Sequence, residues 1–136
     1  MTATLVRGIG TLLSGDLARP VLEADSLLLL DGRIAAIGTD AVPSDVDLVL
    51  DAAGATVAPG LVDSHCHVVF GDYTPRQSAV GFLSSYVHGG ITTVVSPGEI
   101  HLPGRPHDAA GVKALAVLAA QSWAVTRPGG MKVTGG

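Results

Sequence analysis

The sequence contains one cysteine, Cys66, so no disulfide bond can form within the chain, and this usage fits a reducing compartment. It has a net charge of −4 and no cluster of Lys or Arg, which argues against nucleic acid and anionic membranes as partners. Its longest strongly apolar run, residues 114–120, is far shorter than the about 20 residues that span a membrane. The N-terminus has no basic segment followed by an apolar core, so we expect no signal peptide and a cytoplasmic protein.

The motifs of several large enzyme classes are also missing. The phosphate-binding pattern Gly-x-x-x-x-Gly-Lys-Ser/Thr, the dinucleotide pattern Gly-x-Gly-x-x-Gly and the serine-hydrolase pattern Gly-x-Ser-x-Gly do not occur. A cysteine nucleophile needs exposure and a base on its own face of the strand, and the sequence predicts neither for Cys66. These absences argue against nucleotide-dependent chemistry and against catalysis through a serine or cysteine nucleophile.

Two regions of the sequence differ in pattern. Residues 1–58 carry short apolar runs separated by turns, and Asp31-Gly32 between two such runs is a strong pattern for a β-hairpin. From Leu61 the pattern changes to alternating strands and helices. We predict strands at residues 61–69, at 91–95 and from Met131, with helices between them. The sequence therefore predicts an α/β fold class that follows an all-β region.

Capping residues and apolar spacing define the two predicted helices. Thr74 followed by Pro75 is typical of a helix start, and Gly89-Gly90 is typical of its end. Asp108 can cap a second helix that runs to about Val125 and is rich in alanine. Val80, Leu83 and Val87 form an i, i+3, i+7 stripe in the first helix, and Leu115, Leu118 and Ser122 lie on one side of the second.

The stretch Asp63-Ser64-His65-Cys66-His67 carries the chemistry. Alternate residues of a strand share a face, so Asp63, His65 and His67 are predicted to point one way and Cys66 the other. Two imidazoles so placed can bind one cation, and Zn²⁺ or Fe²⁺ suits them. Asp63 can orient a ligand by hydrogen bonding, while Cys66 is expected to be a buried apolar residue. From the spacing alone, the alternative is two partly exposed histidines that bind no metal.

The run from Ala53 to His67, Ala-Gly-Ala-Thr-Val-Ala-Pro-Gly-Leu-Val-Asp-Ser-His-Cys-His, resembles the signature of the metal-dependent amidohydrolase superfamily. Within it the likeness is to the cyclic amidohydrolase branch of dihydroorotases, hydantoinases and enamidases. Residues 31–38 resemble an early hairpin of that family, and residues 71–77, 88–93 and 104–111 are most similar to enamidases. The resemblance covers the whole chain and corresponds to the N-terminal third of such an enzyme.

The resemblance implies a composite architecture. Residues 1–58 would be the N-terminal part of a small β-sandwich domain, and residues 59–136 the first two to three units of an incomplete (β/α)₈ TIM barrel. His65 and His67 would hold one metal at the barrel mouth, with Asp63 supporting them. In a full-length enzyme the resemblance implies a binuclear Zn or Fe centre. Its other groups would be a bridging carboxylate or carboxylated lysine, two further histidines and an aspartate, and none of these is assigned to a residue of this chain.

The activity implied by the resemblance is hydrolysis of a non-peptide C–N bond. A metal-activated hydroxide would open a small cyclic amide in the manner of enamidase, the substrate being a nitrogen heterocycle that bears a carboxylate. The alternatives are a deacetylase or deaminase of the same superfamily, or a non-catalytic truncated fragment. We expect a homo-oligomer, and we expect the 136-residue chain alone to be inactive.

Three residues are candidates for binding the substrate's anionic group. Arg76, His101 and Arg105 are predicted to lie on the side of the barrel where the strands end, and an arginine there can clamp a carboxylate through two hydrogen bonds. The alternative for His101 is an exposed loop histidine without a ligand. Dihydroorotases carry an arginine directly after the His-x-His strand, but Val69-Phe70-Gly71 occupies that place here.

Overall fold

The computed structural model describes residues 1–38, 45–68, 79–101 and 103–136. They form two compact units, Met1–Pro59 and Gly60–Gly136. The predicted boundary followed residue 58. Among the described residues, no helix combines the length and the apolar character needed to cross a membrane.

The first unit is built from short strands in two sheets. Its strands are β1 (Ala3–Arg7), β2 (Thr11–Leu13), β3 (Val21–Leu22), β4 (Leu27–Leu30), β5 (Arg33–Ile37), β6 (Leu48–Asp51) and β7 (Thr56–Val57). One sheet has the order β5-β4-β1-β6 and the other the order β3-β2-β7. In the larger sheet β1 runs antiparallel to β4 and parallel to β6.

The predicted hairpin at Asp31-Gly32 is confirmed. Strands β4 and β5 pair antiparallel, with Leu30 opposite Arg33. Asp31 has φ 48° and Gly32 has φ 75°, the left-handed conformations that a two-residue hairpin turn of this kind requires at both central positions. The buried cluster of this unit is small and consists of Ile9, Leu12 and Leu27.

The second unit alternates strands and helices, as predicted. Its elements are β8 (Leu61–Asp63), α1 (Ala79–His88), β9 (Ile91–Ser96), α2 (Ala109–Val125), a 3₁₀ turn (Pro128–Gly130) and β10 (Lys132–Gly135). The three strands form one parallel sheet in the order β10-β9-β8. The predicted helix start at Thr74 and Pro75 lies outside the described residues.

Helix α2 begins where its capping residue predicts. The Asp108 carboxylate accepts a hydrogen bond from the Gly111 N–H at 2.8 Å, and this bond lowers the pKa of the Asp108 carboxyl. The side of the helix that carries Leu118 is not the buried one, because Leu118 is 48% exposed and the buried residues are Ala119 and Trp123. In α1, Leu83 is fully buried as expected, but Val80 is 42% exposed.

The core of the second unit lies between its sheet and its helices. The buried side chains are Cys66, Val68, Leu83, Val94, Trp123, Met131 and Val133. Cys66 is therefore the buried residue that the sequence predicted. His65 and His67 precede and follow Cys66 in the sequence, so their backbone lies next to this core.

The strand predicted over residues 61–69 is shorter than expected. Regular pairing with β9 ends at Asp63, and the next contact is a single hydrogen bond from the Cys66 N–H to the Val95 carbonyl at 3.0 Å. Val69 lies outside the described residues. The segment after β8 therefore stays beside β9 without the regular alternation of a strand.

Candidate metal centre

The imidazoles of His65 and His67 converge in the segment that follows β8. Their Nε2 atoms are 3.1 Å apart, and the two rings meet edge to face with centroids 4.9 Å apart. Two nitrogen ligands at about 2.05 Å from a tetrahedral zinc ion would be about 3.3 Å apart. The observed separation therefore fits two ligands of one ion with little movement.

A backbone carbonyl orients the His67 ring. His67 Nδ1 lies 3.0 Å from the Gly98 oxygen. Because a carbonyl oxygen can only accept a hydrogen bond, this contact assigns the proton of a neutral His67 to Nδ1 and leaves the lone pair on Nε2. A partner of this kind is typical of histidines that bind metals through the other ring nitrogen.

Gly98 is suited to this place for two reasons. Its φ of 79° is a conformation that residues with a Cβ rarely adopt, and a Cβ at this position would lie 2.8 Å from the Leu115 carbonyl oxygen of α2. The chain can therefore turn directly after β9 and direct the Gly98 carbonyl at His67.

One serine hydroxyl links the two segments that carry these groups. The side chain of Ser96 is fully buried at the end of β9. Its Oγ accepts hydrogen bonds from the N–H groups of Val68 and Gly98, each at 3.0 Å. Ser96 Oγ therefore connects the backbone next to His67 to the backbone of the loop after β9.

Asp63 contacts the backbone and α1, and no ring N–H donates to it among the described residues. Its Oδ1 accepts a hydrogen bond from the His65 N–H at 3.0 Å, and its Oδ2 accepts one from the Tyr86 hydroxyl at 3.0 Å. The Tyr86 hydroxyl also lies 3.5 Å from Cys66 Sγ. Asp63 and Cys66 therefore approach the same atom, which corrects their predicted placement on opposite faces. The regular alternation stops before Cys66.

The thiol of Cys66 and the hydroxyl of Tyr86 stay neutral at neutral pH. Burial raises the pKa of the Cys66 thiol above its usual range, and the nearby Asp63 charge adds to this effect. The contact with Cys66, burial and the hydrogen bond to Asp63 together raise the pKa of Tyr86. Cys66 is consequently a packed side chain here, as the sequence predicted, and does not act as a nucleophile.

The loop after β9 brings a carboxylate and a third imidazole to the site. Glu99 is only 6% exposed, and its Oε1 accepts a hydrogen bond from the His101 N–H at 2.7 Å. The ring of His101 lies 4.6 Å from that of His67, centroid to centroid. One ligand atom each from His67, Glu99 and His101 lies within 4.8 Å of the others, a group able to hold a metal ion.

Glu99 was not predicted from the sequence. No spacing pattern marks it, because its neighbour in space is His67, on a different strand end. Its place could have singled it out, since it follows a parallel strand at the carboxyl end, where functional residues of α/β folds collect.

The candidates for substrate binding have different surroundings. His101 is exposed and lies beside His67, which is compatible with its predicted place on the side where the strands end. The Arg105 guanidinium donates a hydrogen bond to the Ile100 carbonyl and so braces the loop that carries Glu99. Arg76 lies outside the described residues. Which of these groups contacts a substrate stays a prediction.

Known proteins resemble this chain in sequence and in fold. The chain is 51% identical to the enamidase of Eubacterium barkeri over its whole length. The crystal structure of enamidase, described as a new member of the amidohydrolase superfamily, superposes with a TM-score of 0.83 over 99% of the chain. This chain belongs to the amidohydrolase superfamily. Another relative is the imidazolonepropionase of Mycolicibacterium smegmatis, 41% identical over 71% of the chain.

The extent of these matches limits what they establish. This amidohydrolase chain spans 36% of the length of the enamidase and 26% of that of the imidazolonepropionase. No family model matches the sequence. The family is therefore established, while the activity of the whole protein is a separate question.

Proposed function

We propose that this chain is part of a metal-dependent hydrolase that opens the C–N bond of a small cyclic amide, as the name enamidase suggests for its relative. The observation that carries the proposal is the convergence of the two Nε2 atoms of His65 and His67, 3.1 Å apart. The hydrogen bond of His67 Nδ1 to the Gly98 carbonyl supports it, because it leaves the Nε2 lone pair for a metal. Zn²⁺ or Fe²⁺ suits imidazole ligands.

The residues of this chain would bind and orient the reacting groups. A divalent ion supplies a Lewis acid that activates water near neutral pH and polarises the amide carbonyl. His65 and His67 would hold that ion, and the Gly98 carbonyl keeps the His67 ring in the correct tautomer. Asp63 fixes the backbone of His65 and is itself held by Tyr86, so the donor atoms keep their positions.

We further propose the architecture of the whole protein. The parallel order β10-β9-β8, with helices α1 and α2 between successive strands, supports assignment of the second unit to the first units of a (β/α)₈ barrel. The first unit would belong to a β-sandwich that further residues complete. A second metal, bound partly by residues elsewhere in the protein, a homo-oligomeric state and a cytoplasmic location are part of the same proposal.

The first test replaces the two histidines singly. We expect His65→Ala and His67→Ala to lose most of the bound metal and nearly all hydrolysis of a six-membered lactam, because each change removes a ligand. Metal content by mass spectrometry and opening of the ring by chromatography measure the two effects. His88→Ala, at the exposed end of α1, is the matched control and should leave both unchanged.

Two results would contradict the proposal. Full metal content and full activity in His65→Ala would show that the pair holds no metal. Release of ammonia or acetate from suitable substrates, without any opening of lactams, would favour a deaminase or deacetylase of the same superfamily.

Recognition of a carboxylate on the substrate is the second part of the proposal. We expect Arg105→Ala to raise KM for a carboxylated lactam more than for an uncharged one, because a guanidinium pairs specifically with the anion. Arg33→Ala, an exposed arginine of β5, is the control. Equal changes for both lactams would show that Arg105 only braces the loop, and Arg76 can be tested in the same way.

A further inference from the structure

We propose that Glu99 and His101 bind a divalent metal ion together with His67, so that the loop after β9 supplies ligands that the His-x-His motif does not. A catalytic role for this ion rests on the proposed function, whereas the binding of the ion by these residues does not. The ligand atoms of the three residues lie within 4.8 Å of one another.

The donor set has the chemistry of known metal sites. Two imidazoles and one carboxylate hold catalytic zinc in several hydrolases and iron in non-haem sites. Three protein ligands leave at least one coordination position open for water or substrate. This set therefore suits catalysis better than a closed structural site.

The burial of Glu99 is the second observation that indicates a cation. An isolated carboxylate is costly to bury, and Glu99 is 6% exposed. One oxygen accepts the His101 N–H, and no Lys or Arg forms an ion pair with Glu99 among the described residues. A bound divalent ion would offset the buried charge and occupy the second oxygen.

The three ligand atoms must move closer together to bind one ion. Ligand atoms about 2.05 Å from a tetrahedral ion are about 3.3 Å apart, compared with separations of up to 4.8 Å here. The exposed ring of His101 can make this movement, while Glu99 is fixed by burial.

The role of His101 differs from the one expected from the sequence. His101 was a candidate for binding substrate, and here it becomes a metal ligand. Glu99 and His101 add two donors to the His67 imidazole. The chain would then retain an ion with ligands from two neighbouring strand ends.

The experiment measures metal binding directly in the protein as it is naturally expressed. Zn²⁺ affinity is determined by competition with a chelator, and Co²⁺ is added as a spectroscopic probe whose visible absorption reports coordination number. Loss of a partner that only supports a ligand typically weakens metal affinity about 10–100-fold. For Glu99→Gln and His101→Ala we therefore expect at least about 100-fold weaker binding and a changed Co²⁺ spectrum.

The variants separate a ligand from a structural residue. Glutamine at position 99 keeps an oxygen that can accept the His101 N–H, so the loop can keep its hydrogen bond while the charge is lost. Glu23→Gln and His107→Ala change exposed residues of the same types and should leave affinity and spectrum unchanged. Circular dichroism checks that each variant folds.

The outcomes distinguish this proposal from the proposed function. Unchanged affinity and an unchanged Co²⁺ spectrum in both Glu99→Gln and His101→Ala would overturn it, while loss of metal in His65→Ala would still support the hydrolase. Weakened binding in both variants, in a protein that opens no lactam, would support the metal site and contradict the proposed activity.

Discussion

The two compact units bury their apolar side chains to different extents. Among the described residues, the first has a buried cluster of three residues and three further buried apolar residues outside it, Ala3, Leu5 and Leu28. The second has a buried cluster of seven described residues, four of which are completely inaccessible to solvent. In the first unit, three successive residues of β6 (Leu48, Val49 and Leu50) are each more than 40% exposed. In the second, α1 packs against β9 and α2 against β9 and β10, while Leu61 and Val62 of β8 are 60% and 61% exposed.

The difference shows which unit can position a site. Ligand atoms must be held to within fractions of an ångström, and this requires neighbours that are themselves packed. His65 and His67 flank Cys66, a member of the larger cluster, and Glu99 follows β9, which contributes the fully buried Val94 and Ser96. The candidate centre therefore lies on the better packed unit, and the following predictions test this comparison.

The largest difference should come from the same substitution made in each core. Leu83→Ala removes a fully buried side chain from the second unit, and Leu27→Ala removes a 7% exposed one from the smaller cluster. We expect the free energy of unfolding to fall by about 4 kcal/mol for the first and about 2 kcal/mol for the second. Denaturant titration gives the values, and hydrogen exchange assigns them to a unit. Equal losses would remove the contrast between the units.

A glycine pair tests how strictly the second unit constrains the loop that carries Glu99 and His101. Gly98 and Gly104 both have φ 79°, but a Cβ on Gly98 meets the Leu115 carbonyl, while a Cβ on Gly104 has nothing within 4 Å. We expect Gly98→Ala to cost about 3 kcal/mol and to weaken metal binding, and Gly104→Ala to cost about 1 kcal/mol. Thermal unfolding and metal titration measure these effects. If the two variants behaved alike, the close approach of α2 would be unimportant.

The smallest effect concerns the pH dependence of α2. The Gly111 N–H lowers the pKa of Asp108, so the carboxylate stabilises the folded state fully above its unfolded pKa of about 3.9. This contribution is lost as the pH falls through the lower folded value. Asp108→Asn keeps a capping oxygen but does not titrate, so its stability difference from the original chain should shrink below about pH 4. A difference that stayed constant in acid would contradict this account.

Features set by neighbouring residues were predicted well from the sequence. The hairpin follows from Asp31-Gly32, because both positions need left-handed backbone, and the start of α2 follows from the capping side chain of Asp108. The Nε2 atoms of His65 and His67 also converge, 3.1 Å apart, although regular pairing with β9 ends at Asp63, before either residue. The metal-ligand roles of these two residues stay predictions.

Features set by distant contacts were missed. The β-rich composition of residues 61–69 predicts a strand, but regular pairing with β9 ends at Asp63. Leucine is more apolar than alanine, so an apolar pattern predicts that the leucines of α2 are buried. Instead Ala119 and Trp123 are buried and Leu118 is not. Glu99 gains its neighbour only when β8 and β9 pair in parallel, so no local pattern could assign it.

The shared hydroxyl of Ser96 has a consequence for motion. Val68 and Gly98 donate to the same oxygen, which has fixed lone-pair directions and is anchored through a buried strand end. If one segment drifts, it pulls on the atom that restrains the other, so His67 and the Gly98 carbonyl are displaced in concert. Thermal fluctuations then change the distance between these two groups less than they change the position of either group. Groups carried by two separate segments can in this way keep their distances from one another while the surrounding chain fluctuates.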